Sequence, residues 1–362
     1  MSDTNRKKSK KSARRRRKAK LVVFAVEIVV LLIVLGVLFV ALKLSKLDSG
    51  NKIEAKKLQM NDLTQETKTT LEKYTTIALF GLDNRDNGDF IRGNSDVIII
   101  ASINENTKEV KMASVYRDTY LNMTDTSLGY RKANAAYANG GVDQAVSMLN
   151  VNLDLDITDY VVVDFNAVAN AVDLLGGVEI ELTNEEANLI NGYIEEVEEV
   201  TGISSQRIYS GGTYTLDGVQ ATSYARIRYT LGDDYKRTER QRLVIQKMVE
   251  KALSSDPATL NRVVDAVLPD IKTSFTTTEV LMLAKDAFSY SLGETTGFPF
   301  DKTAQDLGGK AGDCVIPLDL ASNVEKLHEF LFDTENYQVT SSVKRISDEI
   351  ISDTGLSASD IP

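Results

Sequence analysis

The stretch Leu21–Leu42, twenty-two residues with Glu27 as its single charge, sets the first limit on this chain. As a helix rising 1.5 Å per residue it would run about 33 Å, enough to cross a hydrocarbon core of about 30 Å. The twenty residues before it hold eleven Lys or Arg against Asp3 alone, and such a flank stays cytoplasmic. A cleaved signal peptide has a shorter apolar region, about 7–15 residues, ending in a small-residue cleavage site. Ala41-Leu42-Lys43 is not one. The run reads as a single-pass signal anchor in the cell membrane, with residues 43–362 on the outer side. Glu27, near the cytoplasmic end, is expected to snorkel or pair.

Whole classes of chemistry fall away next. One cysteine, Cys314, excludes an intrachain disulfide and a thiolate zinc cluster. The single histidine, His328, sits in the amphipathic pattern Leu-His-Glu-Phe-Leu-Phe and reads as structural. Neither a Gly-x-Ser-x-Gly elbow nor HExxH is present. Carboxylates, arginines and an oxygen-ligated metal remain.

Apolar content of 43% and charged content of 26% suit a globular domain with a real core. Residues 43–74 are polar and helix-prone and read as a stalk. Buried strands are expected at Thr75–Gly81, Ser95–Ile103, Glu109–Val115, Asp159–Asp164 and Val178–Leu182. Helices are expected at Ala133–Asn150 (broken at Gly140-Gly141), Phe165–Leu175, Thr183–Val200, Tyr235–Leu253, Pro257–Val267, Thr277–Tyr290 and Ala321–Phe332, with a further strand at Cys314–Pro317. Alternating strands and helices argue an α/β fold with a mixed sheet covered on both faces. Beyond Ser341 the chain reads as a loose polar tail.

Within this acidic chain (formal net charge −10), Ala221–Arg242 gathers six positive residues against three acids. Arginine offers a permanent planar fork that matches phosphate oxygens. On a helix from Tyr235, Arg237 and Gln241 lie one turn apart with Arg240 beside them. Arg226 and Arg228 share a side only if extended, so the helix begun near Asp217 is expected to end by about Tyr224. A solvated basic face is the plainer reading of such a run. The loop Leu82–Gly93 tilts the balance: Asp83 closes one buried strand, Asp96 opens the next, and Arg85, Arg92 and Arg117 share that neighbourhood. Strand ends are where α/β folds place ligands, and two carboxylates there suit Mg²⁺ with substrate phosphates.

These residues resemble the LytR-CpsA-Psr family of cell-wall glycopolymer ligases. The ordered matches are Leu82-Asp83-Asn84-Arg85, Ser95-Asp96, Val115-Tyr116-Arg117-Asp118-Thr119-Tyr120 and Lys132-Ala133-Asn134-Ala135-Ala136-Tyr137 with Gly140-Gly141. They continue through Val163-Asp164-Phe165, Leu175-Gly176-Gly177-Val178, Leu216-Asp217-Gly218, Tyr224-Ala225-Arg226-Ile227-Arg228 and the D-x-x-R-x-x-R-Q run Asp234–Gln241. The likeness spans about Thr75–Lys251. Two departures stand out: Asn94 where the family often has arginine, leaving Arg92 nearest, and Tyr116 in place of the usual proline.

The resemblance implies an α-β-α domain over residues 75–340, core 75–251, that buries a polyprenyl tail in an apolar groove. It implies transfer of a glycopolymer phosphate from a polyprenyl-pyrophosphate carrier to a peptidoglycan hydroxyl. By matching position, Arg85, Arg117, Arg226, Arg228, Arg237 and Gln241 would hold the pyrophosphate, with Arg92 and Arg240 as further candidates. Asp83 and Asp96 would meet Mg²⁺, with Mn²⁺ as its substitute. Asp96, Asp118 and Asp234 stay open as the general base. Phosphoryl transfer rests on positioning and charge neutralisation, so a site without His or Cys suffices. The rivals are a non-catalytic lipid sensor using the same arginines and a transcriptional attenuator. Against the second, no helix-turn-helix pattern appears, the domain lies across the membrane from DNA, and no nucleic-acid partner is expected.

Overall fold

The computed structural model describes residues 53, 57–82, 90, 93–228, 233–267, 271–276, 279, 289–309 and 311–361. The basic arm, the apolar run at 21–42 and most of the helix expected over Thr277–Tyr290 lie outside them.

The strands are β1 (Tyr74–Leu82), β2 (Ser95–Asn104), β3 (Glu109–Val115), β4 (Tyr120–Asn122), β5 (Tyr130–Lys132), β6 (Asp159–Asp164), β7 (Val178–Leu182), β8 (Gly212–Leu216), β9 (Ile271–Thr273), β10 (Ser291–Phe298), β11 (Lys302–Asp306) and β12 (Asp313–Pro317). The helices are α1 (Gln65–Leu71), α2 (Ala135–Leu153), α3 (Phe165–Leu174), α4 (Asn184–Thr201), α5 (Gly218–Tyr224), α6 (Asp233–Leu253), α7 (Pro257–Val267), α8 (Leu320–Phe332) and α9 (Ser341–Thr354).

Six strands form one mixed sheet in the order β10-β3-β2-β1-β6-β9. β1, β2 and β3 pair antiparallel, while β6 runs parallel to β1 and β10 parallel to β3. As a result β1, β3, β6 and β10 all finish, and β2 begins, at one end of the sheet. Alternation along each strand splits the side chains between two faces. Phe80, Ile98, Ile100 and Val162 join the main core with α2, α8 and α9. Ile99, Ala101 and Met112 face the other way, where Ile245 of α6 packs on them.

A lobe beside the sheet has its own core, built from the β7–β8 hairpin, α4 and α5. The hairpin's alternation is plain in β7, where Val178, Ile180 and Leu182 are buried and Glu179 and Glu181 exposed. Thr183 and Glu186 cap α4 reciprocally, and Asp217 and Gln220 cap α5. Gly218 is required at the start of α5, because a Cβ there would stand 2.1 Å from the Ala169 carbonyl oxygen. The break at Gly140-Gly141 is present as a kink inside α2, with Gly141 at φ 65°.

Two expectations are corrected. The described part of the segment before β1, residues 57–73, packs on the domain instead of standing off it as a stalk: Leu58, Leu63 and Leu71 are buried in the main core, and Asn61 donates to Asp154 at 2.6 Å. The polar tail is likewise not loose. Thr340 caps α9 while its N–H and hydroxyl bond Asp154, and Val343, Ile346 and Ile350 are buried. Three apolar residues on one helical stripe suffice to dock an otherwise polar segment.

His328 and Cys314 are structural, as the sequence implies. The His328 ring stacks on Tyr337 at 3.7 Å, its Nε2 lies 2.9 Å from the Leu153 carbonyl, and burial lowers its pKa to about 4. Burial pushes the Cys314 thiol up to about 11.

Two measurements check this packing. Ile350→Ala should cost about 2–5 kcal/mol of unfolding free energy, against less than about 0.5 for the exposed Glu349→Ala. His328 stays neutral in the fold but binds a proton when unfolded below its ordinary pKa. Stability should therefore fall by up to about 3 kcal/mol as pH drops from about 6.5 to 4, and His328→Gln should flatten that slope in urea titrations.

Candidate active site

The sheet end where β1, β3 and β6 finish collects the polar chemistry. Asp96, second residue of β2, accepts from Arg117 Nη1 at 2.8 Å, and its other oxygen lies 3.7 Å from Arg228 Nη2. Arg117 leaves the end of β3 in a turn whose carbonyl accepts from the Asn134 N–H, while the Asp118 carbonyl accepts from the Val315 N–H. Its Nε lies 3.3 Å from Asp118 Oδ2, and Lys132 Nζ lies 3.3 Å from Asp118 Oδ1. Three cations and two carboxylates thus form one partly buried network around Arg117.

The arginine stretch arrives from the lobe. α5 ends at Tyr224, at the residue the sequence indicates, and a turn follows. Arg228 is held there by its own N–H, which donates to the Tyr193 hydroxyl at 2.9 Å. The two neighbouring arginines do not share a carboxylate: Arg226 Nη2 lies 3.2 Å from Glu196 of α4. Arg240, 5% exposed, donates from Nε to Glu186 at 2.7 Å and from Nη1 to the Ile227 carbonyl at 3.0 Å. The geometry gives Arg240 the part of an anchor for the arginine turn.

Beside this network lies a cavity of about 270 Å³ between the sheet and α6. Leu79, Val97, Ile99, Val161, Val244 and Met248 make it apolar, and Gln241 reaches it. Arg237, 2% exposed, precedes Gln241 by one turn on α6. The cavity wall also carries Asp164 and Thr222. Asp164 Oδ1 caps α3 through the Ala167 N–H, while Asp164 Oδ2 and Thr222 Oγ1 are buried without a hydrogen-bond partner among the described residues. An apolar chamber thus opens next to a guanidinium cluster.

Asp83, Arg85 and Arg92 lie outside the described residues, as does the side chain of Asp234. Residues 39–294 match the LytR_cpsA_psr family, most of the chain. The chain belongs to the LytR-CpsA-Psr family. Among relatives of this LytR-CpsA-Psr protein, the polyisoprenyl-teichoic acid–peptidoglycan teichoic acid transferase TagU of Enterococcus faecalis is 31% identical over 213 residues, covering 58% of this chain and 65% of TagU. Biofilm regulatory protein A of Streptococcus mutans is 34% identical over 212 residues, 56% of this chain and 50% of that protein. The matches therefore take in between half and two thirds of those relatives' lengths. The fold is that of TagT: its structure bound to LI-WTA superposes with a TM-score of 0.55 at 20% identity, covering 86% of this chain and 99% of TagT. TagT with bound octaprenyl pyrophosphate gives a TM-score of 0.51 over the same shares.

The LytR-CpsA-Psr site also contains residues that sequence reading missed. Lys132 opens one of the matching motifs, but its site role shows only in its contact with Asp118; Tyr193 emerges only through Arg228, 35 positions away. Arg242, part of the same basic run, is buried with Nη1 unpartnered among the described residues, and burial lowers its pKa.

Arg240→Met should behave as a stability variant. Leaving Glu186 buried without its partner should cost about 3–5 kcal/mol in denaturant titrations, with the double variant Arg240→Met/Glu186→Leu recovering most of the loss.

Proposed function

We propose that this protein is a membrane-anchored phosphotransferase that moves a glycopolymer phosphate from a polyprenyl-pyrophosphate carrier to a peptidoglycan hydroxyl. The juxtaposition of an apolar cavity with the Arg117–Asp96–Arg228 cluster carries the reading, since a polyprenyl pyrophosphate needs both environments within one molecule's length. The teichoic acid transferase activity of TagU and the lipid ligands of TagT support the same assignment. The acceptor lies outside the cell, so the reading includes the single-pass anchor at 21–42 with its basic arm in the cytoplasm.

In this reading the isoprenoid tail occupies the cavity under Val244 and Met248. Arg117 and Arg228, with Arg85, Arg226, Arg237 and Gln241, fix the pyrophosphate and spread its charge. A fixed array of guanidinium donors stabilises charge developing on phosphoryl oxygens without reorganising. The acceptor hydroxyl forms the new P–O bond as the bond to the lipid phosphate breaks, releasing polyprenyl monophosphate. Its proton passes to a carboxylate: Asp96 and Asp118 are the candidates around Arg117, and Asp234, second residue of α6, is the third.

The donor chemistry at Asp96 fits Mg²⁺, a hard cation that takes one or two carboxylates with phosphate oxygens and water. Asp96 and Asp83 would hold it, and Mn²⁺ suits the same ligands. When bound it would supply further neutralisation of pyrophosphate charge.

The full-length protein in detergent, given Mg²⁺, a polyprenyl-pyrophosphate-linked glycan and a peptidoglycan fragment, should yield polyprenyl monophosphate and a glycan phosphate joined to the acceptor. EDTA should abolish both products, Arg228→Ala should lower turnover about 100-fold or more, and Lys247→Ala should stay within about twofold. Tight donor binding without either product would leave the sensor reading standing instead.

A further inference from the structure

Beyond the packing of Ile245 on Met112, a second contact ties the Arg117 turn to the start of α6. Tyr116, the residue before Arg117, is buried with its ring edge-on to Tyr235 in the first turn of α6, centroids 4.7 Å apart. Lys302, first residue of β11, sets its ammonium 5.1 Å from the Tyr116 ring centre and 4.9 Å from that of Tyr235. The same Nζ donates to the Phe300 carbonyl at 3.2 Å. The Tyr116 N–H donates to the Phe298 carbonyl at 3.0 Å, and the Tyr116 carbonyl accepts from Thr119 N–H and Oγ1 at 2.9 and 2.6 Å. Gly297 makes room: a Cβ there would stand 2.1 Å from the Tyr116 hydroxyl oxygen. An edge-on aromatic pair under a desolvated cation is directional as well as apolar.

α6 carries two stripes. Arg237, Gln241, Val244 and Met248 follow one face, while Tyr235, Glu239 and Arg242 follow another at i, i+4 and i+7. The first stripe serves the cavity and the arginines, and the second begins with Tyr235 in contact with Tyr116. Tyr116, Tyr235 and Lys302 thus tie the first turn of α6, which bears Arg237, directly to the residue before Arg117, in addition to the Ile245 packing and the Arg240 anchor.

We propose that Tyr116, Tyr235 and Lys302 are positioning residues, a clamp that holds the Arg117–Asp118 turn in register with the helix bearing Arg237 and Gln241. Its catalytic consequence rests on the phosphotransfer reading; its mechanical one does not.

Two measurements on the full-length protein in detergent separate these. Amide hydrogen exchange should quicken about tenfold or more at Thr119 and Asn134 in Tyr235→Ala, with α3 unchanged and Tyr235→Phe like wild type. Unchanged exchange at Thr119 and Asn134, or a general quickening that includes α3, would overturn the clamp. Turnover is then read in a double-mutant cycle with Arg117→Ala. Tyr235→Ala should cost about tenfold or more alone and nothing further once Arg117 is gone. Equal losses in both backgrounds would mean ordinary destabilisation and overturn the positioning role. Wild-type protein without turnover would sink the phosphotransfer reading, while the exchange result would still decide the clamp.

Discussion

The buried pair between Arg240 and Glu186 is the contact on which the site's assembly depends. Glu186 closes the capping box that starts α4, and its outer oxygen takes the Arg240 Nε–H. Burial alone would raise the Glu186 pKa, but the Thr183 N–H and the Arg240 guanidinium outweigh it and hold the pKa below its ordinary value. Arg240 then reaches the Ile227 carbonyl, between the two arginines of the turn. One guanidinium thus joins the lobe, the turn and α6. The acidic helix α4 is more than a soluble face: Glu186 anchors Arg240, Tyr193 receives the Arg228 N–H, and Glu196 meets Arg226.

Of the six central strands, β1, β2, β3 and β6 were legible because they are locally consistent, whereas β9 and β10 were not. β1 and β2 are nearly continuous apolar runs of the kind buried on both faces, and β7, outside that sheet, alternates cleanly. Short strands such as β5 (Tyr-Arg-Lys) and β11 (Lys-Thr-Ala-Gln-Asp) carry no such signal, since their pairing is decided by partners elsewhere in the chain. The same holds for α9, whose three buried apolar residues sit among charges. Its docking depends on Asp154, 186 positions away from Thr340.

For the site the division is similar. The expectation that Asp96 and Arg117 come together follows from both lying at strand ends, and they do meet. The separate fates of Arg226, Arg228 and Arg240 were not legible, because each depends on which residue of α4 faces it across the lobe. Identical guanidinium groups two to fourteen positions apart differ in surroundings and not in composition. Arg240 is enclosed, so its fork is committed to the fold, whereas Arg117 and Arg228 keep their forks at a partly exposed carboxylate.

That difference explains how one basic stretch can serve both stability and chemistry. Enclosed guanidinium groups need fixed partners, because an unpaired buried charge is costly. Groups at the rim can exchange a carboxylate for a phosphate oxygen at little desolvation cost, since they are already partly wet. The apolar cavity imposes the complementary constraint: it accepts a hydrocarbon chain but offers a diphosphate no counter-charge along most of its wall. In the proposed reading, a lipid pyrophosphate would be registered by its own polarity change, with the tail drawn inward and the head stopped at Arg117 and Arg228. Placing the phosphorus atoms this way requires neither His nor Cys. This is the physical sense in which a chain with one buried histidine and one buried cysteine can still position a phosphoryl group for transfer.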